Sequence, residues 1–393
     1  MPALDIVKDL IAFDTTSRDS NLALIDYAQG LLEKSGARCR RSPDASGKKA
    51  NLFATFGPDG DGGFVLSGHT DVVPVDGQDW SSDPFKAEVR GSKLYGRGAC
   101  DMKGFVGVAL ALAPEIAKAK LKRPLHFALS YDEEVGCVGV TGLLEDLKRE
   151  GIRPALAIVG EPTLMKIVGA HKGGAKLITT CHGREHHSSA PEKGANAVMM
   201  AGEFVAMLDN VWDGLRADAD PRFDPPHSTV QATVIAGGTA VNILARQADV
   251  TWEYRCLPDR DPAAILETVR RRTEAEIAPK YRARAPEAAL TTKLHAQYPG
   301  LRMDEDSPAV RLVREVTGAN AVEAVSYGTE AGHFQNYGIP AVICGPGSIE
   351  QAHRADEYCE LSELTACEGF LRKIIARASA LAFRRDFMDN AAE

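Results

Sequence analysis

What this 393-residue chain lacks narrows the reading first. It has no lysine- or arginine-rich run, and its formal charge is -8. That argues against nucleic acid as a partner. No apolar run approaches the ~20 residues needed to cross a bilayer, so no membrane partner is expected. The start, "MPALDIVKDLIAF", has no basic segment followed by a long apolar core, so no secretory signal is expected. The 8 cysteines are scattered without a C-x-x-C pair. They read as reduced thiols of a cytoplasmic protein, not as a disulfide frame or a cysteine-type zinc site. No G-x-G-x-x-G follows the first strands, which excludes a dinucleotide-binding fold. Repeats and low-complexity tracts are also missing.

What is present is ordinary globular composition, 44% hydrophobic, over a length that suits two domains. Four short apolar runs read as central strands covered on both faces: Phe64 to Ser67, Leu125 to Leu129, Ala155 to Val159 and Ala341 to Cys344. A helix is predicted from Gly104 to Lys120 and another over "SPAVRLVREVTG". Strands alternating with helices imply an α/β domain with a mixed, largely parallel sheet. The middle of the chain differs. "AKLITTCHG", "STVQATVIAGG", "RQADVTWEYRCL" and "EAALTTKLHAQY" read as strands, with two helices between them. Asp261 is the expected N-cap of the second helix. That βαββαβ order predicts an inserted α+β, ferredoxin-like lid. The expected limits are 1–176 and 299–393 for the catalytic domain and 177–298 for the lid.

Polar residues gather where the four strands end, which is where open α/β sheets bind ligands. His69 and Asp71 follow the first strand. At i and i+2 of an extended segment they point to one side, as suits a ligand and a carboxylate that orients it. Asp101 lies in the Gly-rich turn "YGRGACDMKG". The second strand ends in "SYDEEVG", three consecutive acids that include Glu133 and Glu134. Glu161 follows the third strand and His353 the fourth. Neighbouring carboxylates repel, and burying them unpaired is costly; a cation relieves both. Two histidines and three carboxylates suffice for a pair of divalent ions if one carboxylate bridges. That N/O mixture suits zinc, cobalt or manganese better than magnesium. Glu134 can then hold a metal while Glu133 serves as general base.

Taken in order, "SGHTDVVPV", "LYGRGACDMKG", "DEEVG", "GEPT", "YGTEAGHF" and "AHRADE" resemble the zinc-dependent aminoacylase and exopeptidase family. Its members include acetylornithine deacetylases, succinyl-diaminopimelate desuccinylases and glutamate-type carboxypeptidases. The resemblance implies two Zn2+ ions per chain, with Co2+ also accommodated. His69, Asp101, Glu134, Glu161 and His353 are then the ligands. Asp101 bridges, His69 and Glu161 take one ion, and Glu134 and His353 the other. Asp71 orients His69, Glu133 is the base, and the Asp101–Met102 peptide is cis. In the lid, "GREHHSSAPEKGANAV" matches a motif with one histidine before Ser-Ser-x-Pro, and register assigns it to His187. Glu185 and His186 stand where small residues are usual. Asn242, Arg255, Gly328 and Thr329 match substrate-binding positions, Arg255 for the substrate's carboxylate. The family's lid pairs with a second copy, which implies a homodimer. "FDTTSRDSNLALIDYA", "GEPTLMKIVGAHKGG" and "GPGSIEQAHRADEY" look most like the acetylornithine deacetylases. That implies removal of acetyl from N-acetyl-L-ornithine, a step of arginine biosynthesis. Succinyl-diaminopimelate, another N-acyl amino acid or a dipeptide is the alternative substrate. A non-catalytic metal-binding protein is disfavoured, because the base and all ligand positions are retained.

Overall fold

The computed structural model describes residues 2–380. They form two compact units. One comprises the chain up to Ala170, Met303–Ala324 and the part from Thr329 onward; the other is His171–Arg302 with Val325–Gly328.

In chain order, the strands of the first unit are β1 (Arg38–Pro43), β2 (Ala50–Phe56), β3 (Phe64–His69), β4 (Glu88–Arg90), β5 (Lys93–Tyr95), β6 (Leu125–Ser130), β7 (Leu156–Pro162) and β8 (Val168–His171). Those of the second are β9 (Gly173–His182), β10 (Thr229–Gly237), β11 (Gln247–Cys256) and β12 (Ala289–Tyr298). Then come β13 (Glu323–Val325), β14 (Ala341–Gly345) and β15 (Tyr358–Glu360).

The large sheet has the order β1-β2-β6-β3-β7-β14-β8-β13. Its centre, β6-β3-β7-β14, is parallel, and β1, β2 and β8 join it antiparallel. This is the mixed, largely parallel sheet anticipated from the apolar runs. Every residue of β3, β6, β7 and β14 is buried, because helices cover both faces. The helix expected from Gly104 to Lys120 is two helices, Lys103–Ala111 and Ala113–Lys118. Pro114 has no N–H for the Leu110 carbonyl, and the chain tightens there, with Leu112 N donating to Ala109 O at 3.2 Å.

The second unit has a four-stranded sheet in the order β10-β11-β9-β12, antiparallel throughout. Helices Ala197–Leu215 and Pro262–Arg272 supply the α elements of the expected βαββαβ order. Asn196 and Asp261 cap them, accepting from Val198 N and Ala263 N. Helix and sheet share a core in which Phe204 meets Trp252 edge-on at 6.1 Å. Trp252 Nε1 donates to Thr179 Oγ1 at 2.9 Å, so the buried indole is satisfied.

The units divide after 170 and 302, not after 176 and 298 as the sequence suggests. The physical reason is backbone pairing. Gly173 already pairs with Cys256, and His171 N donates to Leu301 O at 3.1 Å.

Candidate metal centre

The parallel strands of the first unit carry their polar ends to one place. β3 delivers His69, β7 carries Glu161, and the turn after β6 supplies Glu133 and Glu134. The segment after Gln351 brings His353, whose backbone is left-handed at φ 63. Asp101 sits in the turn that leads into helix Lys103–Ala111, and its bond to Met102 is cis.

Asp101 is the centre of the cluster. Its Oδ1 lies 3.0 Å from His69 Nε2, and its Oδ2 lies 3.2 Å from His353 Nε2. Glu161 Oε1 is 3.7 Å from His69 Nε2, and Glu134 Oε2 is 3.0 Å from His353 Nε2. Each oxygen of Asp101 therefore belongs to a separate histidine–carboxylate set. Potential ligand atoms of His69, Glu133 and Glu161 lie within 4.8 Å of one another, as do those of His69, Asp101 and Glu134. Of the acids in "YDEEV", Asp132 stands apart, since Lys49 Nζ pairs with it at 2.6 Å.

The electrostatics show what this cluster needs. Burial, with Glu134 and Asp101 beside it, pushes Glu133 up to about 8. Burial and Asp101 also raise Glu134 and Glu161. Burial opposes ionisation of Asp101, yet hydrogen bonds from His353 and His69 hold it well below the usual carboxylate range. Those to Asp101 and Glu134 lift His353 to about 10. Burial would lower His69, but the bond to Asp101 and the charge of Glu161 outweigh it. Protein donors alone leave the carboxylates short of positive charge. A divalent cation on each side of Asp101 would replace the protons. The donor set fits: nitrogen and oxygen only, two histidines, and one carboxylate open to both sides.

Supporting bonds fix the donors. His69 Nδ1 donates to the Asp71 carbonyl oxygen at 2.9 Å, which leaves Nε2 facing Asp101. The orienting group is thus the backbone of Asp71, whereas the carboxylate was expected from the sequence. That carboxylate accepts from Glu133 N at 3.1 Å, Glu134 N at 3.2 Å and Ser17 Oγ at 2.7 Å. Asp71 therefore ties the His69 strand end to the glutamate turn. Cys137 Sγ lies 3.2 Å from Glu133 Oε1.

Two partners were not singled out from the sequence. Glu357 is fully buried and accepts from Gly98 N at 3.1 Å, Cys100 N at 2.8 Å and Asp101 N at 3.0 Å. Arg97 Nη1 pairs with it at 2.7 Å. The signal was in the quoted motifs, as Arg97 lies in "YGRGACDMKG" and Glu357 ends "AHRADE". Glu330, in "YGTEAGHF", is the second. It is buried, accepts from Ser67 Oγ at 3.3 Å, and is pushed by burial up to about 7.

In the second unit His187 is exposed, and its Nδ1 accepts from Ser189 N at 3.2 Å. An Nδ1 that accepts a backbone N–H places the neutral ring's proton on Nε2. Ser188 N donates to Asn242 O at 2.9 Å, which brings the His187 and Asn242 loops together. His186 has an intermediate exposure and Glu185 is exposed. Arg255 lies on β11 and is held by Glu253 and Tyr298. Gly328 belongs to this unit, its backbone against the Tyr298 ring. Thr329, in the first unit, is fully buried, and its Oγ1 accepts from Ala331 N at 3.1 Å. That hydroxyl thus holds the first N–H of helix Ala331–Asn336.

Residues 65–377 match the peptidase family M20/M25/M40. The chain belongs to that family. Among M20 relatives, the acetylornithine deacetylase of Myxococcus xanthus is 37% identical, covering 96% of this chain and 97% of that one. That of Pasteurella multocida is 33% identical over 95% and 97%. In fold, an M20 family metallo-carboxypeptidase from Sulfolobus solfataricus superimposes with a TM-score of 0.78 at 16% identity, covering 96% and 99%. A dinuclear metal-binding M20 peptidase from Bacillus subtilis gives 0.68 at 18%, covering 95% and 97%. Among the described residues no helix is long and apolar enough to cross a membrane.

Proposed function

We propose that this M20 hydrolase removes the acetyl group of N-acetyl-L-ornithine, giving ornithine and acetate, as a step of arginine biosynthesis. The observation that carries a hydrolytic metal centre is the placement of Asp101, with each carboxylate oxygen next to a different histidine. The choice of substrate is supported by full-length likeness to acetylornithine deacetylases.

His69, Asp101 and Glu161 would hold one divalent ion, and Asp101, Glu134 and His353 the other. Zinc is the leading choice and cobalt suits the same donors. When bound, such ions lower the pKa of water to roughly 7 and polarise the acyl carbonyl. Glu133, buried and turned toward His69 and Glu161, accepts the proton of the attacking water. It then returns that proton to the departing amine, which would otherwise leave as an anion. His187 offers its Nε2–H to the oxyanion, a donor of a kind worth about 10²–10³ in rate. Arg255 takes the substrate carboxylate, with Asn242, Gly328 and Thr329 as further substrate positions.

A homodimer paired through the second unit completes the proposal. β10 is an edge strand that exposes Val234 and Ile235, the kind of edge a second copy can cover. Cytoplasmic location is supported by 8 cysteines that are all free thiols.

Turnover of N-acetyl-L-ornithine and N-succinyl-LL-diaminopimelate by zinc- or cobalt-loaded protein tests this reading. Preference for the acetyl substrate is expected. Preference for the succinyl substrate would make the chain a desuccinylase, and hydrolysis of neither would remove both readings.

A further inference from the structure

Within the second unit, Arg255 is one end of a three-residue row. Arg255 on β11 and Tyr298 on β12 are both register partners of Gly174 on β9, the strand between them. Register partners share a sheet face, so the two side chains stand on either side of a glycine. They meet across it, with Arg255 Nη1 donating to Tyr298 Oη and its Cζ 5.7 Å from the ring centroid. A Cβ on Gly174 would lie 2.5 Å from Tyr298 Oη. Behind the ring lies Gly328, where a Cβ would come 2.0 Å from Tyr298 Cε2. A side chain at either glycine would displace the tyrosine. From the other side, Glu253 accepts from Arg255 Nε and Nη2 at 3.2 Å each. The guanidinium is therefore clamped between a carboxylate and a phenol. Tyr298 is 7% exposed, whereas the Arg255 side chain is 30% exposed, so the tyrosine is the buttress and the arginine reaches out.

We propose that Tyr298 is a positioning residue for substrate: it aims Arg255 at the carboxylate of the acyl amino acid, and Gly174 and Gly328 are the spaces that let it. This rests on the reading of Arg255 as the carboxylate donor. Filling the space needs only a ring, which phenylalanine would supply. The hydroxyl adds a bond to a charged partner, of the stronger class. A guanidinium already fixed loses less side-chain freedom when a carboxylate binds, so the gain appears as substrate affinity.

The test compares metal-loaded wild type, Tyr298→Phe, Gly174→Ala and Arg255→Ala on N-acetyl-L-ornithine and on its α-carboxamide, which lacks the carboxylate. Wild type should prefer the acid. Tyr298→Phe should raise KM for the acid about 10-fold, as loss of a charge-assisted hydrogen bond does, with kcat within about 2-fold. The acid-to-amide ratio of kcat/KM should fall by about the same factor, and Gly174→Ala should follow it. Equal losses on acid and amide would make Tyr298 merely structural and overturn the proposal. An unchanged ratio in Tyr298→Phe, with the ratio abolished in Arg255→Ala, would overturn the role of Tyr298 and keep that of Arg255. A ratio unchanged in Arg255→Ala would remove the carboxylate reading and the proposal with it.

Discussion

Glu357 accepts the backbone N–H of Asp101 at 3.0 Å while Arg97 pairs with it at 2.7 Å. The residue that faces both histidines is thus held from behind by a buried ion pair. Glu357→Ala would leave the Arg97 cation buried without its anion and three turn amides without their acceptor. A loss of about 3–5 kcal/mol in urea unfolding is predicted, with metal affinity down about 10–100-fold. Glu357→Gln keeps an acceptor for the amides and should lose less of both. Wild-type metal affinity in Glu357→Ala would show that the turn holds Asp101 unaided.

The paired glutamates should separate by role. Glu133→Gln should keep its metal and lose roughly 10²–10⁴ in kcat, the range of general acid–base catalysis. Glu134→Gln should lose metal as well, because its carboxylate faces His353 at 3.0 Å. Elemental analysis of both purified variants decides between them. Equal metal loss would reverse or void the assignment.

The elements of the centre were legible because each lies in a short contiguous motif, at or beyond the end of an apolar run or, for Asp101, in a Gly-rich turn before a helix. His69, Glu133, Glu134 and Glu161 needed only the rule that parallel strands end together. Glu357 and Tyr298 were not legible in the same way. Glu357 acts through backbone amides more than 250 positions earlier in the chain, and no spacing announces that. Tyr298 depends on the register of β12 against β9, which alternation alone does not set. The carboxylate of Asp71 went to the glutamate turn for a related reason: two adjacent N–H groups, one buried and one part-buried, required an acceptor. Pro114 was visible as a helix breaker, and the apolar run around it hid the division.

If a dimer shares its sites, two inactive variants should complement. His187→Ala keeps metal and dimer but loses the oxyanion donor; Glu133→Gln loses the base. In the proposed dimer, a mixed pair has one intact site when His187 serves the partner's metals. Random pairing gives about half mixed dimers, so co-refolding should recover roughly a quarter of wild-type activity. No recovery, with mixed dimers verified, would place His187 at its own chain's centre.

His126 should make stability fall on the acid side. It is buried beside Phe53, its Nδ1 is 2.9 Å from Thr55 Oγ1, and burial lowers it from 6.5 to about 3. Between those values the unfolded chain takes up a proton that the folded chain refuses. This contribution is whole above pH 6.5 and is lost as pH falls toward about 3. The slope approaches 1.4 kcal/mol per pH unit, about one proton. His126→Asn should remove that share of the slope in urea titrations at several pH values. Parallel curves for the two proteins would assign the acid loss elsewhere.

In the proposed centre, Asp101 would bridge two metal ions. Anomalous diffraction at the zinc edge, from crystals of zinc-loaded protein, tests it most directly. Two peaks about 3.5–4 Å apart are predicted, one beside His69 and Glu161, the other beside Glu134 and His353, with Asp101 between them. A single peak in fully loaded crystals, or two peaks without Asp101 between them, would contradict the account.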